Sequence, residues 1–294
     1  MIDILNGRYW DFGWQLIDGC TPCSPGCDNC WSAAMSHRVG RGGLTKFCGE
    51  FNSVIETHPD RFNRPLKRKK PAVYAIWNDL FHADVPDEFI FDTFRKICEC
   101  RGRHAFLILT KRPGRMLKWI NLAKYKEPGW FASGELDLWG TYLSLTVCNQ
   151  QEWNENGALF LSTPGKKFIS HEPALERIDY GPRLKEISCL IAGGETGPKA
   201  RPSHPDVFGL DRYQCQVAGV PFFFKGWGEF ISSYDAGFRF EEQDRWKRTF
   251  GKAWVKSRRS CRFEDGTQMV RVGKKAAGRI LAGRTHDDLP WVMK

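Results

Sequence analysis

Short, uninterrupted apolar runs recur along the chain and alternate with stretches of helical periodicity. The runs are Ala72–Trp77, Ala105–Thr110, Thr141–Val147, Lys167–Ser170, Cys189–Ala192 and Val220–Phe224, with an earlier one near Tyr9–Leu16. Continuous apolar strands of this length read as parallel strands buried on both faces. Between them the pattern predicts helices at Pro86–Cys100, Pro113–Ala123, Gln150–Leu161 and Pro205–Ala218, and a first helix from Asp28 to Val39. Six or seven strand–helix units in series predict an α/β protein, either a wound parallel sheet or a complete or partial (β/α) barrel.

In such folds, ligands gather at the carboxyl ends of the strands. Each run here ends in polar groups: Asn78-Asp79, Lys111-Arg112, Thr146 with Asn149, His171-Glu172, Gly193-Gly194-Glu195 and Lys225-Gly226. The first run leads into a loop holding Cys20, Cys23, Cys27 and Cys30. A ring of polar strand ends predicts an active-site mouth.

Composition refines this picture. At 294 residues, 41% hydrophobic and 27% charged, the chain reads as globular, with core enough for one large domain. No run approaches the ~18 apolar residues of a membrane span, and the first residues lack a signal peptide's pattern, so a cytoplasmic location is expected. Net charge is +10, and the last 54 residues carry +7 of it, with 14 Lys and Arg against 7 Asp and Glu. The rhythm of apolar runs fades near residue 233. Residues 1–232 therefore read as the barrel and 233–294 as a basic extension packed on it. The excess of positive charge points to a polyanion, nucleic acid before membrane. Arg61–Lys70 adds six positive charges and reads either as a solvated connector or as a phosphate-contact patch. The segment Arg271–Arg279 lacks the spacing of a Walker loop.

The chain has eleven cysteines and no export signal, so metal or redox chemistry is favoured over a disulfide framework. Four of them fall within eleven residues; the others, in scattered apolar contexts, read as small buried thiols. Four thiolates could hold one zinc, but zinc ribbons separate their two cysteine pairs by about a dozen residues or more. The spacing Cys23-x3-Cys27-x2-Cys30 is instead that of a loop gripping three irons of a [4Fe–4S] cluster, with the fourth iron open to a small ligand.

The cysteine loop and six further motifs carry a resemblance. They are Asn78–His82, Leu109–Pro113, Ser170–Pro173, Gly193–Pro202, Phe223–Gly228 and Val272–Arg279. Together they resemble a family of phage and bacterial radical-SAM-like proteins of unknown function with a three-cysteine motif, in order from about Trp14 to Pro290. The resemblance implies a partial (β/α)6 TIM-like radical-SAM barrel, a [4Fe–4S] cluster and S-adenosylmethionine (SAM). Relatives of this kind space the triad as Cys-x6-Cys-x2-Cys, which selects Cys20, Cys27 and Cys30 as metal ligands and leaves Cys23 spare.

On that resemblance Asn78 and Asp79 would meet the ammonium of SAM's methionine, and Lys111, or else Arg112, its carboxylate. Thr146 and Glu172 would meet the ribose. Glu195, Lys225 and His171 are the candidates for chemistry on the substrate, with His82 a further possible proton donor. Each could equally be a strand-end salt bridge, a cap or a satisfied structural histidine. The expected reaction is abstraction of hydrogen from a nucleobase in DNA by a 5′-deoxyadenosyl radical, rearranging a hypermodified thymine in phage DNA. Spore photoproduct lyase, a radical-SAM enzyme acting on thymine, is a looser analogy. Lys67–Lys70, Lys247-Arg248, Arg258-Arg259 and Lys274-Lys275 would track phosphates, and Trp246 and Trp254 would stack on bases. A flavodoxin- or ferredoxin-like partner would supply electrons. Two alternatives stand beside this reading: a radical-SAM enzyme acting on tRNA, a peptide or a small molecule, and a zinc-stabilised nucleic-acid-binding protein without catalytic activity.

Overall fold

The computed structural model describes residues 4–35, 51, 54–132, 135–136, 140–232, 234–235 and 260–291. Seven strands form one sheet: β1 (Phe12–Trp14), β2 (Val73–Ile76), β3 (Ala105–Thr110), β4 (Thr141–Val147), β5 (Lys167–His171), β6 (Cys189–Gly193) and β7 (Phe222–Gly226). They lie in chain order, every neighbouring pair parallel, and the sheet curls into a half-barrel. The sequence pattern located all seven, one strand beyond a six-stranded barrel. The last lies two residues later than expected, which brings Lys225 inside β7.

Four helices cover the outer face: α1 (Asp87–Glu99), α2 (Pro113–Lys126), α3 (Gln150–Leu161) and α4 (Pro205–Ala218). Their causes are local. Helix α1 opens on Asp87 and Glu88, charges that suit a helix amino end, and buries Phe89, Ile90, Phe94 and Ile97 on one stripe. Helix α3 is capped by Asn149, whose side chain accepts from the Glu152 amide. Helix α4 stops at Gly219, in the left-handed conformation that glycine adopts without strain. Between β5 and β6 there is only a 3-10 turn, Pro182–Glu186, so the strand–helix alternation is incomplete. Of the first expected helix, residues 31–35 are helical and 36–39 lie outside the described residues.

Side chains alternate across each strand. Tyr74, Ile76, Phe106, Ile108, Leu143, Leu145, Ile169 and Leu190 face the helices and form the larger core. Val73, Ala75, Leu107, Tyr142, Phe168, Ile191 and Phe223 face inward and form a second core with Tyr9 and Trp291.

The carboxyl-terminal segment completes this body. Strands β8 (Phe230–Ser232), β9 (Ser260–Arg262) and β10 (Gln268–Arg271) make a small antiparallel sheet in the order β8-β10-β9, followed by a helical turn, α5 (Lys274–Ala277). Val270, Val272, Ala277 and Leu281 enter the larger core. The chain then runs beside β7, where the Phe224 amide donates to the His286 carbonyl (3.0 Å) and the Asp288 amide to Phe222 (3.3 Å), covering an exposed sheet edge. Trp291 closes the inner core against Tyr142 and Phe168, with its indole nitrogen on the Tyr9 carbonyl. No helix among the described residues is long and apolar enough to cross a membrane. Cys48, Trp246, Lys247, Arg248, Trp254, Arg258 and Arg259 lie outside the described residues.

Lys67–Lys70 do not join a track at the mouth. The segment precedes β2, the Arg68 guanidinium lies over the ring of Phe12 at the start of β1, and Arg103, just before β3, donates to the Arg68 carbonyl. These basic residues therefore sit at the amino ends of the strands, opposite the mouth.

Candidate active site

Following the inward parity to the carboxyl end of each strand predicts what faces the mouth. Trp77, Leu109, Thr146, Ser170 and Lys225 continue the inner rows, and all line a cavity of about 840 Å³ that also holds Cys20, Cys23, Cys27 and Cys30 in its wall. Of the expected site residues, Asn78, Asp79, Lys111, Thr146, Glu172, Glu195 and Lys225 border this same cavity.

His171 does not. One residue beyond Ser170, it has the opposite parity and points between β5 and α4. It is fully buried there, its Nδ1 2.8 Å from Asp211 Oδ2. The assignment of His171 to chemistry on the substrate is therefore corrected: it ties strand to helix. Asp211→Ala should destabilise the fold by about 2 kcal/mol, because buried His171 would lose the one hydrogen-bond partner it has among the described residues. Urea unfolding measures this; an unchanged midpoint would contradict it.

The cysteine loop is shaped by local bonds and gripped from two sides. Ser24 caps a single 3-10 turn, Pro25–Cys27, by accepting from the Gly26 amide (3.0 Å). Gly26 lies against Cys148, and a Cβ there would stand 2.3 Å from the Cys148 sulfur and 3.2 Å from Lys111 Nζ, so only glycine fits. On one side, Arg201 binds both Glu195 oxygens (2.6 and 3.0 Å), Asp28 (3.1 Å) and the Pro25 carbonyl (2.8 Å). Asn29 donates to Glu195 and to the Lys199 carbonyl, both at 3.0 Å. On the other side, Arg112 bridges Asp79 and the Thr21 carbonyl, each at 2.7 Å, and His82 Nε2 lies 2.8 Å from the Thr21 hydroxyl.

These contacts revise several assignments. Both Glu195 oxygens are engaged; burial raises its pKa, yet the bonds from Arg201 and Asn29 hold the carboxyl below its usual range. Glu195 is thus a brace of the cysteine loop rather than a group free to act on substrate. Asp79 is likewise filled, by Thr110 and the Phe81 amide on one oxygen and by Arg112 and the Lys111 amide on the other. His82 is buried, which pulls its pKa down, and belongs to the same brace. Asn78, at φ 61°, accepts from Ser32 (2.6 Å) and donates to the Ile17 carbonyl (2.7 Å).

Other groups remain turned to the cavity. Lys111 Nζ donates to Ser24 (3.0 Å) and reaches Cys148 (3.3 Å), directly beneath the loop. Glu172 pairs with Lys225 at 2.7 Å and accepts from Tyr9 (2.9 Å) and Ser170 (3.1 Å). Burial raises the pKa of the Tyr9 hydroxyl, and the Glu172 charge adds to this, so it stays a donor. Within the loop, the Cys23 thiol hydrogen-bonds Cys27, which pulls Cys27 down to about 5 and pushes Cys23 up. This contact favours the thiolate form of Cys27, the form that binds metals. Among the described residues no group of three or more His, Cys, Asp or Glu side chains is arranged to hold a single metal ion.

Sequence reasoning missed the aromatic part of the wall. Trp10, Trp31 and Trp77 border the cavity, with Trp31 and Trp77 edge to face at 5.2 Å. Trp31 directly follows Cys30 and Trp77 directly precedes Asn78, so both were adjacent to marked motifs. Arg201 and Cys148 were missed too; one lay inside the Gly193–Pro202 motif, the other just past Thr146.

The fold is thus an α/β protein whose curled parallel half-barrel sheet has a cysteine-walled cavity at its strand ends. The chain belongs to the family described as Protein of unknown function (DUF5131), whose model matches residues 6–290. No curated protein and no solved structure matches it.

Proposed function

We propose that this protein is a radical-SAM enzyme acting on a nucleobase in DNA, with a hypermodified thymine of phage DNA as the favoured substrate. The carrying observation is that the three spaced cysteines and the strand-end polar ring open onto one cavity. The residues fit a [4Fe–4S] cluster by donor chemistry: Cys20, Cys27 and Cys30 are free thiols on one wall, the ligand class such clusters require. A volume of about 840 Å³ lies within the range of cofactor pockets, roughly 300–1,000 Å³. Bound there, the cluster would supply one electron to split SAM into methionine and the 5′-deoxyadenosyl radical that takes hydrogen from the substrate.

The chain's own residues bind and orient. Lys111, fixed by Ser24 beside the loop, offers a cation for the methionine carboxylate. Asn78 presents an amide whose side-chain bonds fix its direction. Thr146 and the Glu172–Lys225 pair offer polar contacts for hydroxyls. Trp10, Trp31 and Trp77 give flat apolar surface that shields the centre from water and matches a base.

The test is isotope transfer. Oligonucleotides bearing a thymine deuterated on its 5-substituent are incubated with the reconstituted chain, SAM and dithionite. Deuterium in the recovered 5′-deoxyadenosine is the expected result. Turnover with unlabelled product, or labelling only from tRNA or peptide, would overturn the DNA reading.

A further inference from the structure

The cavity has a second cationic pole, remote in the sheet from Lys111. Lys111 follows β3, whereas Lys225 sits on β7 and Lys274 and Lys275 on the α5 turn, all three on the cavity wall. Lys225 is matched by Glu172. Lys274 and Lys275, both exposed to solvent, form no salt bridge among the described residues. Surrounding protein and then the charge of Lys225 lower the pKa of Lys274, against the weaker pull of Glu172 and Glu229. Cations brought together with too few anions form a site for an anion.

The turn bearing them is rigid. The Val272 and Gly273 amides donate to the Glu229 carbonyl (2.9 and 3.0 Å), and the Trp227 amide donates to Gly278 (3.1 Å). The Trp227 indole reaches the Ile280 carbonyl at 2.8 Å. Arg279, also on the wall, is a strut instead: it spends its donors on the Phe224 and Ile4 carbonyls and on Asp287. Folding thus fixes the backbone that carries the two lysines at the cavity wall.

We propose that Lys274 and Lys275, backed by Lys225, are the phosphate subsite of this cavity and take the backbone phosphate beside a base lying on the aromatic wall of Trp10, Trp31 and Trp77. The inference rests on the reading of a DNA base as substrate and says where the strand is held. A ligand with a flat ring and a neighbouring oxyanion matches both walls at once; a neutral metabolite or an unphosphorylated peptide matches one.

The experiment is fluorescence anisotropy of a labelled, thymine-containing single-stranded DNA with the full chain across a salt series. K274A/K275A should weaken binding at least tenfold and reduce the slope of log affinity against log salt by about 0.7, the contribution of the one phosphate no longer neutralised. K69A/K70A removes the same charge at the far end of the strands and should change neither. Equal effects of the two pairs, or none, would overturn the subsite, as would competition by thymidine as effective as that by thymidine monophosphate. K274Q/K275Q replaces the alanine pair should that variant melt early. The assay needs no SAM cleavage. A subsite confirmed by binding in a chain that never releases 5′-deoxyadenosine would stand while the radical reading fell, and the reverse result would remove only the subsite.

Discussion

Cys27→Ser should leave the purified, reconstituted chain nearly free of iron and reduce SAM cleavage at least ~100-fold, since outer-shell partners of metal ligands alone are worth about 10- to 100-fold. Cys27 is shared by both possible triads, and it ends the 3-10 turn whose geometry Ser24 and Gly26 fix. A serine keeps the shape but offers a hard oxygen where soft sulfur is required. Cys20→Ser should behave the same way. Cys23→Ser should keep its iron, because the proposed triad is Cys20, Cys27 and Cys30, with the exposed Cys23 spare. Iron and sulfide analysis of the three variants checks this, and a chain that loses iron on Cys23→Ser but keeps it on Cys20→Ser would contradict the assignment.

The second large effect falls on stability. Arg201→Ala should cost about 3 kcal/mol, the low end of the 3–5 expected for breaking a buried pair, because the Arg201 side chain is 34% exposed while that of Glu195 is 4% exposed. The variant would leave Glu195 with only Asn29 and a backbone amide, and it would free the loop at Asp28 and Pro25. The sign of the pH dependence follows. The Glu195 carboxyl is held below its unfolded value, so its contribution is present above a pH of about 4.3 and is lost as pH falls through the lower folded value. The wild type should therefore lose stability in acid more steeply than Arg201→Ala. Urea midpoints measured across pH test both statements, and parallel curves would contradict the brace.

Much of the fold was legible because parallel strands buried on both faces leave continuous apolar runs, and all seven were located. The small sheet of β8, β9 and β10 was not, since strands of three or four residues carry too little pattern to stand out from a basic, aromatic tail. The sequence pattern placed no helix between β5 and β6, and a 3-10 turn, Pro182–Glu186, serves as the connection there. The location of the site could be read from polar strand ends, but the roles of its residues could not. Glu195 and Asp79 looked free in sequence, and each is filled by an arginine that folding brings to it. His171 was the one error that parity alone could have prevented, because its neighbour Ser170 takes the inward position. The Lys67–Lys70 cluster looked like part of a phosphate track until its place at the amino ends of the strands was known.

The central claim is that this cavity holds a cluster that cleaves SAM. The most direct measurement is anaerobic reconstitution followed by iron and sulfide analysis, with the visible spectrum recorded before and after dithionite and SAM. A brown protein with about four irons per chain that bleaches on reduction and releases 5′-deoxyadenosine is the predicted result. A colourless protein that binds one zinc and leaves SAM intact would contradict the account.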